Sequence, residues 1–186
     1  MTQRKIDVFT DGSVSKYKEK VGNVFYGSYA IIFLDRKELF GRYWEVFKET
    51  TINQMELMAI IKSLEILKEE GLMHEAIYIY SDSEYSVKGF NVYLPNWLKK
   101  NWCLASGKPV KNKELWVKLL EVSKHFPELQ ITHVKAHQSK EVIAENYEAE
   151  WNDKVDKIAT GAKADLAYAM NNEIDMEFSS IQWYDG

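Results

Sequence analysis

The chain has 186 residues, enough for one domain of ordinary size with an appended segment. Apolar residues make up 46% and charged residues 28%, a balance typical of a globular protein rather than a disordered one. The formal net charge of -4 argues at first sight against a nucleic-acid partner, because phosphate-binding proteins usually present a basic surface.

The single cysteine, Cys103, excludes an intramolecular disulfide and fits a reducing compartment. No long apolar run is present, and the first residues lack the apolar region of a signal peptide. We therefore expect a cytoplasmic protein that has no membrane anchor.

The first third of the chain is predicted to be mostly β-structure. Residues 5–14 alternate between two faces and predict a short strand that ends in a turn. The polar, lysine-containing stretch 13–23 is expected to be an exposed loop. Residues 24–34 and 38–48 are aromatic and β-branched, and they predict a hairpin.

Helices and strands alternate in the remainder. A helix is predicted over 51–70 from its apolar stripe, followed by a strand over 76–81. Residues 83–101 predict short helical pieces interrupted by Pro95. The last predicted elements are a helix over 113–125, a strand over 129–135 and a helix over 145–163. This order favours an α/β fold in which helices pack on a mixed sheet.

The composition changes after Lys163. Residues 164–186 contain five acids and no Lys or Arg, so residues 1–163 alone carry a net charge of +1. We therefore divide the chain into a main domain, 1–163, and an acidic C-terminal extension, 164–186. This extension could be disordered, packed on the body, or a partner-binding or autoinhibitory element; its aromatic residues favour packing.

Three acids lie at positions where a carboxylate is costly without a role. Asp11 and Asp82 each close an apolar strand, and Glu56 lies in the first turns of the apolar helix. Strand ends and a helix start can converge at one edge of a sheet, and grouped carboxylates favour Mg²⁺ or Mn²⁺. Each acid alone could instead be a turn or helix cap. Together they favour a metal site.

The chain resembles a type-1 ribonuclease H over about residues 5–163. Six blocks carry the resemblance in the family's order: FTDGS (9–13), TTINQMELMA (50–59), SDSEY (81–85), KPVKNKELW (108–116), VKAH (134–137) and NDKVDKIA (152–159). The resemblance implies a single catalytic domain of the ribonuclease H-like fold. Its mixed five-stranded sheet would have three antiparallel strands, then two parallel ones, and helices on both faces.

The same resemblance implies an endonuclease that hydrolyses the RNA strand of RNA–DNA hybrids. It implies a monomer that uses two Mg²⁺ ions, with Mn²⁺ as a substitute, and that leaves 5′-phosphate and 3′-hydroxyl ends. The alternatives are a related nuclease that acts on DNA and a catalytically silent hybrid-binding module.

The family motifs assign roles to individual residues. The resemblance makes Asp11, Glu56, Asp82 and Asp156 the catalytic metal ligands. Asp156 is preferred to its neighbour Asp153 because the family's acid lies four residues after an asparagine, here residue 152. His137 matches a histidine that assists proton transfer or product release, although a longer polar loop follows it here.

The nucleic-acid contacts are predicted from a basic segment and from single matched positions. Residues 96–113 carry five lysines and no acid, and they resemble the family's basic protrusion; alone, they could be a solvated helix face. The predicted contacts are Thr51, Asn53, Glu84, Tyr93, Lys99 and Lys100. Glu84 occupies a place where the family commonly has glutamine.

Overall fold

The computed structural model describes residues 3–19 and 22–184, which fold into a sheet with helices on both faces. The strands are β1 (Lys5–Glu19), β2 (Gly22–Asp35), β3 (Glu38–Lys48), β4 (Ala76–Ser81), β5 (Leu129–His133) and β6 (Ser179–Trp183). The helices are α1 (Ile52–Glu69), α2 (Glu84–Lys88), α3 (Leu94–Lys99), α4 (Lys113–Ser123), α5 (Lys140–Glu145) and α6 (Tyr147–Asn172). A π-helical turn, Gly89–Tyr93, joins α2 to α3.

The sheet has the strand order β5-β4-β1-β2-β3-β6. β1, β2 and β3 are antiparallel neighbours, whereas β1, β4 and β5 run parallel. The predicted α/β class and the arrangement of the first five strands are thus confirmed. The prediction of five strands falls one short, because β6 from the C-terminal extension pairs antiparallel with β3.

Two long helices cover opposite faces of the sheet. The apolar stripe of α1 packs on the face that bears Ile6 and Val8, in the largest apolar cluster. α6 covers the other face, where Val155 packs near Phe9. The site described below therefore lies between two elements fixed by extensive apolar burial. Within the described residues, none of the helices combines the length and the apolarity needed to cross a bilayer.

The predicted loop over 13–23 is wrong. β1 continues to Glu19 and remains paired with β2 as far as Gly22. The alternation explains why: Tyr17 packs with Val24 against α6, while the lysines at 16 and 18 project from the other face. A strand with one buried and one charged face looks polar when only its composition is considered. Residues 20 and 21 lie outside the described residues.

Two helical predictions also need correction. Pro95 is the second residue of α3, which follows the π-helical turn directly, so the proline lies in a first helical turn, where it is tolerated, rather than interrupting a helix. The predicted helix over 145–163 continues to Asn172, and the polar loop before it contains the short helix α5.

The C-terminal extension is docked by specific contacts at the edge of β3. The Trp183 ring stacks on Phe40 with 5.7 Å between centroids and 11° between planes. Gly41 leaves the space for it, since an added Cβ there would overlap the Trp183 ring. Arg42 Nε donates to Gln182 Oε1 at 2.8 Å. β6 is thus paired through its backbone and anchored through side chains; Asp185 lies outside the described residues.

Candidate active site

Four acidic residues from four parts of the chain meet beside the middle of β1. Asp11 lies on β1, Asp82 follows β4, Glu56 lies on α1 and Asp156 lies on α6. Asp11, Glu56 and Asp82 each offer one carboxylate oxygen, and these atoms all lie within 4.8 Å of one another. Residues far apart in the sequence therefore form one cluster of hard oxygen ligands.

Gly12 brings α1 close enough to complete the cluster. An added Cβ at this position would lie 2.9 Å from the Glu56 backbone nitrogen and 2.9 Å from Met55 Cβ. These separations are too short for a real side chain, so only glycine lets the first turns of α1 approach β1 at this distance. The glycine after Asp11 thus positions Glu56.

The cluster is electrostatically unfavourable when no cation is bound. Burial, followed by the charges of Glu56, Asp82 and Asp156, raises the pKa of Asp11 to about 10. Burial, followed by the charge of Asp82, raises the pKa of Glu56 well above its usual value. Buried oxygens of both, Asp11 Oδ2 and Glu56 Oε2, have no hydrogen-bond partner. Such orphaned carboxylate oxygens fit a site for divalent cations.

Asp156 and Asp153 both border a smaller pocket with Asp82 and His137, but they differ in their other contacts. Asp156 contributes to the raised pKa of Asp11 through its charge, and it lines the same groove as Asp11 and Glu56. Asp153 is paired with Lys157, with Nζ and Oδ2 2.6 Å apart, and lies outside that groove. The structure therefore brings Asp156 to the cluster and gives Asp153 a separate partner.

A groove of about 540 Å³, here called the acidic groove, contains the cluster. Its lining includes the four acids and Gly12, Ser13, Val14, Ile52, Asn53, Ser83, Glu84, Tyr85, Ala136, His137 and Thr160. His137 is exposed at its wall and has a φ of 48°, a left-handed conformation that residues other than glycine seldom adopt. Its ring lies on the same groove as the carboxylates.

The predicted nucleic-acid contacts divide into two groups. Asn53 and Glu84 line the acidic groove, and Thr51 caps the N-terminus of α1 beside it. Tyr93, Lys99 and Lys100 lie outside the groove, on and around α3. Tyr93 is exposed and packs on Trp97 with 5.9 Å between ring centroids.

Two buried residues that the sequence analysis did not assign to the site support it. Asn152 donates from Nδ2 to Asp82 Oδ2 at 3.3 Å. Lys163 is buried, and its Nζ donates to Ser13 Oγ at 2.7 Å. Burial lowers the pKa of Lys163 below its usual value, and the charges of Asp156 and Asp11 offset only part of this effect. Asn152 lies four residues before Asp156 and Lys163 seven residues after it, so helical periodicity places all three on one face of the helix and could have indicated these two residues.

Comparisons with known proteins agree with this geometry. The family model described as RNase H matches residues 3–164. Ribonuclease H of Clostridium botulinum (strain Hall) is 36% identical over 163 residues, which cover 86% of this chain and 95% of the relative. The solution structure of the PFV RNase H domain has a TM-score of 0.71 at 21% identity, over 88% of this chain and 96% of that one.

The second solved structure is a complex. The crystal structure of LC11-RNase H1 in complex with RNA/DNA hybrid has a TM-score of 0.61 at 19% identity. The match covers 87% of this chain and 99% of that one. At this identity the likeness concerns the fold.

Proposed function

This chain belongs to the ribonuclease H family and is a ribonuclease H enzyme, and from that premise we propose that it hydrolyses the RNA strand of RNA–DNA hybrids with two divalent ions. The observation that carries the proposal is the set of buried, partnerless carboxylate oxygens in the acidic groove. The proposed products carry 5′-phosphate and 3′-hydroxyl ends.

The ligands of the proposed ions are Asp11, Glu56, Asp82 and Asp156. Three of them already have oxygens within 4.8 Å of one another, and Asp156 lines the same groove. An all-oxygen donor set favours Mg²⁺, with Mn²⁺ as a substitute, over zinc. When bound, such ions supply Lewis-acid stabilisation of phosphoryl oxygens and lower the pKa of the attacking water.

The chain's own residues orient the reacting groups. Asn152 fixes Asp82 through its amide hydrogen bond, and Gly12 fixes the approach of Glu56. His137, exposed on the groove wall, is proposed to exchange a proton with the substrate or product, since imidazole can act as a general acid or base. The ligands thus stay in place while His137 moves protons.

The hybrid would lie across the acidic groove. Asn53 and Glu84 are proposed to contact the strand being cut, and Thr51 the adjoining backbone. Tyr93, Lys99 and Lys100 are proposed to hold the DNA strand on the flank formed by α3. Selection for RNA would come from the 2′-hydroxyl groups, which DNA lacks. The hybrid bound in the LC11-RNase H1 complex supports this choice of substrate.

A cleavage assay tests the proposal. The full chain is incubated with an RNA–DNA hybrid, duplex DNA and a branched DNA junction, with Mg²⁺ or with a chelator. We expect cutting of the hybrid's RNA strand only, and only with metal, and end analysis should show 5′-phosphates. Asp82→Asn is the matched inactive control. Equal cutting of duplex DNA would support a DNA nuclease, and binding without cutting would support a silent module.

We also propose that the enzyme works as a monomer in the cytoplasm. The support is one cysteine in the whole sequence and the β6 strand that covers the edge of β3. Light scattering at micromolar concentration should give the mass of one chain; a dimer mass would contradict the first part.

A further inference from the structure

The outer part of the β1–β2 hairpin, residues 13–19 and 22–28, packs on α6 through one of its two faces. We call it the distal hairpin. Its inner face packs on α6 through an apolar cluster that contains Tyr17, Val24, Tyr26, Ala162, Leu166 and Met170. This burial fixes the direction in which the opposite face points.

The opposite face of the distal hairpin is basic and exposed. Lys16 pairs with Phe25 across the strands, and Lys18 pairs with Asn23, so all four side chains lie on one face. All four residues are exposed, and Phe25 retains 43% of its accessible surface. Among the described residues, no ion pair involves Lys16 or Lys18. Their charges are therefore available to an anionic partner.

This face is continuous with the acidic groove. A shallow, mostly apolar pocket of about 370 Å³ is lined by Val14, Phe25, Thr50, Thr51 and Ile52. Val14 and Ile52 also line the acidic groove, so the two depressions share a wall. A long ligand that leaves the groove past α1 would meet Phe25 and then the two lysines.

We propose that the distal hairpin is a second binding surface for the hybrid, on which Lys16 and Lys18 pair with backbone phosphates and Phe25 packs against sugars. The proposal rests on the proposed function and extends its footprint. At about 3.4 Å per residue, Lys16 and Lys18 lie about 17 and 24 Å along the strand from Asp11. At about 3.4 Å per nucleotide, they reach phosphates about five to seven positions from the cleaved bond.

The chemistry favours phosphate contacts over base recognition. Lysine ammonium groups are point charges that bind phosphate oxygens without reading sequence. Each neutralised phosphate contributes about 0.9 to the slope of log affinity against log salt. The hairpin should therefore increase affinity for long hybrids of any sequence and make binding more sensitive to salt.

The test compares long and short hybrids. The double variant Lys16→Ser/Lys18→Ser is measured beside wild type with hybrids of about 18 and about 8 base pairs, by fluorescence anisotropy without metal and by kcat/KM with Mg²⁺. A central cut in the short hybrid leaves too few base pairs to reach Lys18. For the long hybrid we expect a loss of affinity and kcat/KM on the order of fivefold to tenfold at about 50 mM salt.

Three further readouts define the expected result. The salt slope for the long hybrid should fall by about 2, the short hybrid should be unaffected, and kcat should not change. The charge-preserving Lys16→Arg/Lys18→Arg variant should behave like wild type. The control is Lys124→Ser, which should also match wild type. Lys124 is exposed at the end of α4, and its neighbour His125 contacts Lys68, at the opposite end of α1 from Thr51.

The outcomes distinguish this proposal from the proposed function. Unchanged affinity for the long hybrid in the Ser double variant, or an equal loss for both lengths, would overturn the hairpin proposal while leaving the activity in place. Wild-type protein that binds hybrid without cutting it would refute the activity, and the anisotropy comparison would still decide on the lysines. Thermal unfolding of each variant checks that the fold is intact.

Discussion

The acidic groove and the β3–β6 edge are built in opposite ways. In the groove, carboxylates are buried together and two of their oxygens lack hydrogen-bond partners, an arrangement that destabilises the metal-free fold. At the edge, backbone pairing, a stacked Trp183 ring and the Arg42–Gln182 hydrogen bond satisfy the groups involved. The difference agrees with the proposed function, in which the groove residues bind a ligand and the edge residues stabilise the fold.

The strongest test of this contrast removes one groove charge. Asp11→Asn should reduce hybrid cleavage by at least about 10³-fold, because a proposed metal ligand is lost. The same change should raise the metal-free unfolding temperature, since it removes a buried acid that the fold must keep protonated above its usual pKa, at a cost of about 1–3 kcal/mol. For a chain of this size that corresponds to about 2–12 °C. Cleavage assays and calorimetry with chelator measure the two effects.

Those two effects must occur together. If Asp11→Asn lost activity and also melted earlier without metal, Asp11 would be a structural residue, and the contrast between the two regions would fail.

A matched pair of glycines tests the same contrast sterically. Gly12→Ala should push α1 from β1 and displace Glu56, reducing cleavage by about 10²-fold. Gly41→Ala should displace the Trp183 ring, lower stability by about 1–3 kcal/mol and leave kcat unchanged. Gly161→Ala, with open space around the added Cβ, is the control. If the Gly41→Ala variant lost kcat at a temperature where it is folded, the β3–β6 edge would not be independent of the acidic groove.

The smallest expected effect is a pH dependence of the metal-free protein. The pKa of Asp11 is raised in the folded state, so between about pH 4 and pH 10 the folded state binds more protons than the unfolded one. Stability without metal should therefore fall as pH rises through this window, by several degrees in unfolding temperature between pH 5 and 9. Saturating Mg²⁺ should reduce the slope, as should Asp11→Asn. A metal-free stability that rises with pH, or the same slope in Asp11→Asn, would exclude this origin.

Local signals predicted most of the fold and of the groove. The structure contains the predicted helix α1 and the predicted central strands, because their buried side chains follow the helical and strand periods that the sequence shows. Asp11, Glu56, Asp82 and Asp156 were predicted because motif positions imply their convergence, and the structure brings them together.

What escaped prediction depends on distant partners. The strand at 13–19 looks polar until α6 is available to bury Tyr17, and β6 requires the edge of β3 and the space above Gly41. Lys163 has a role only because Ser13 lies beside it in the fold. A local sequence pattern cannot show such contacts, because each of them joins residues more than 130 positions apart in the chain.

The length of α6 determines where this polypeptide can be shortened. The helix runs unbroken for 26 residues, so a chain ended at Lys163, where the charge composition changes, would stop inside it. Such a chain would lose the buried Leu166 and Ala167, which pack in the cluster with Tyr26 and Val46. A chain ended after Asn172 would keep all of α6 and lose β6 together with Met176, which packs at the border of the same cluster. The boundary that matters for truncation is therefore the last turn of α6, nine residues after the change in charge.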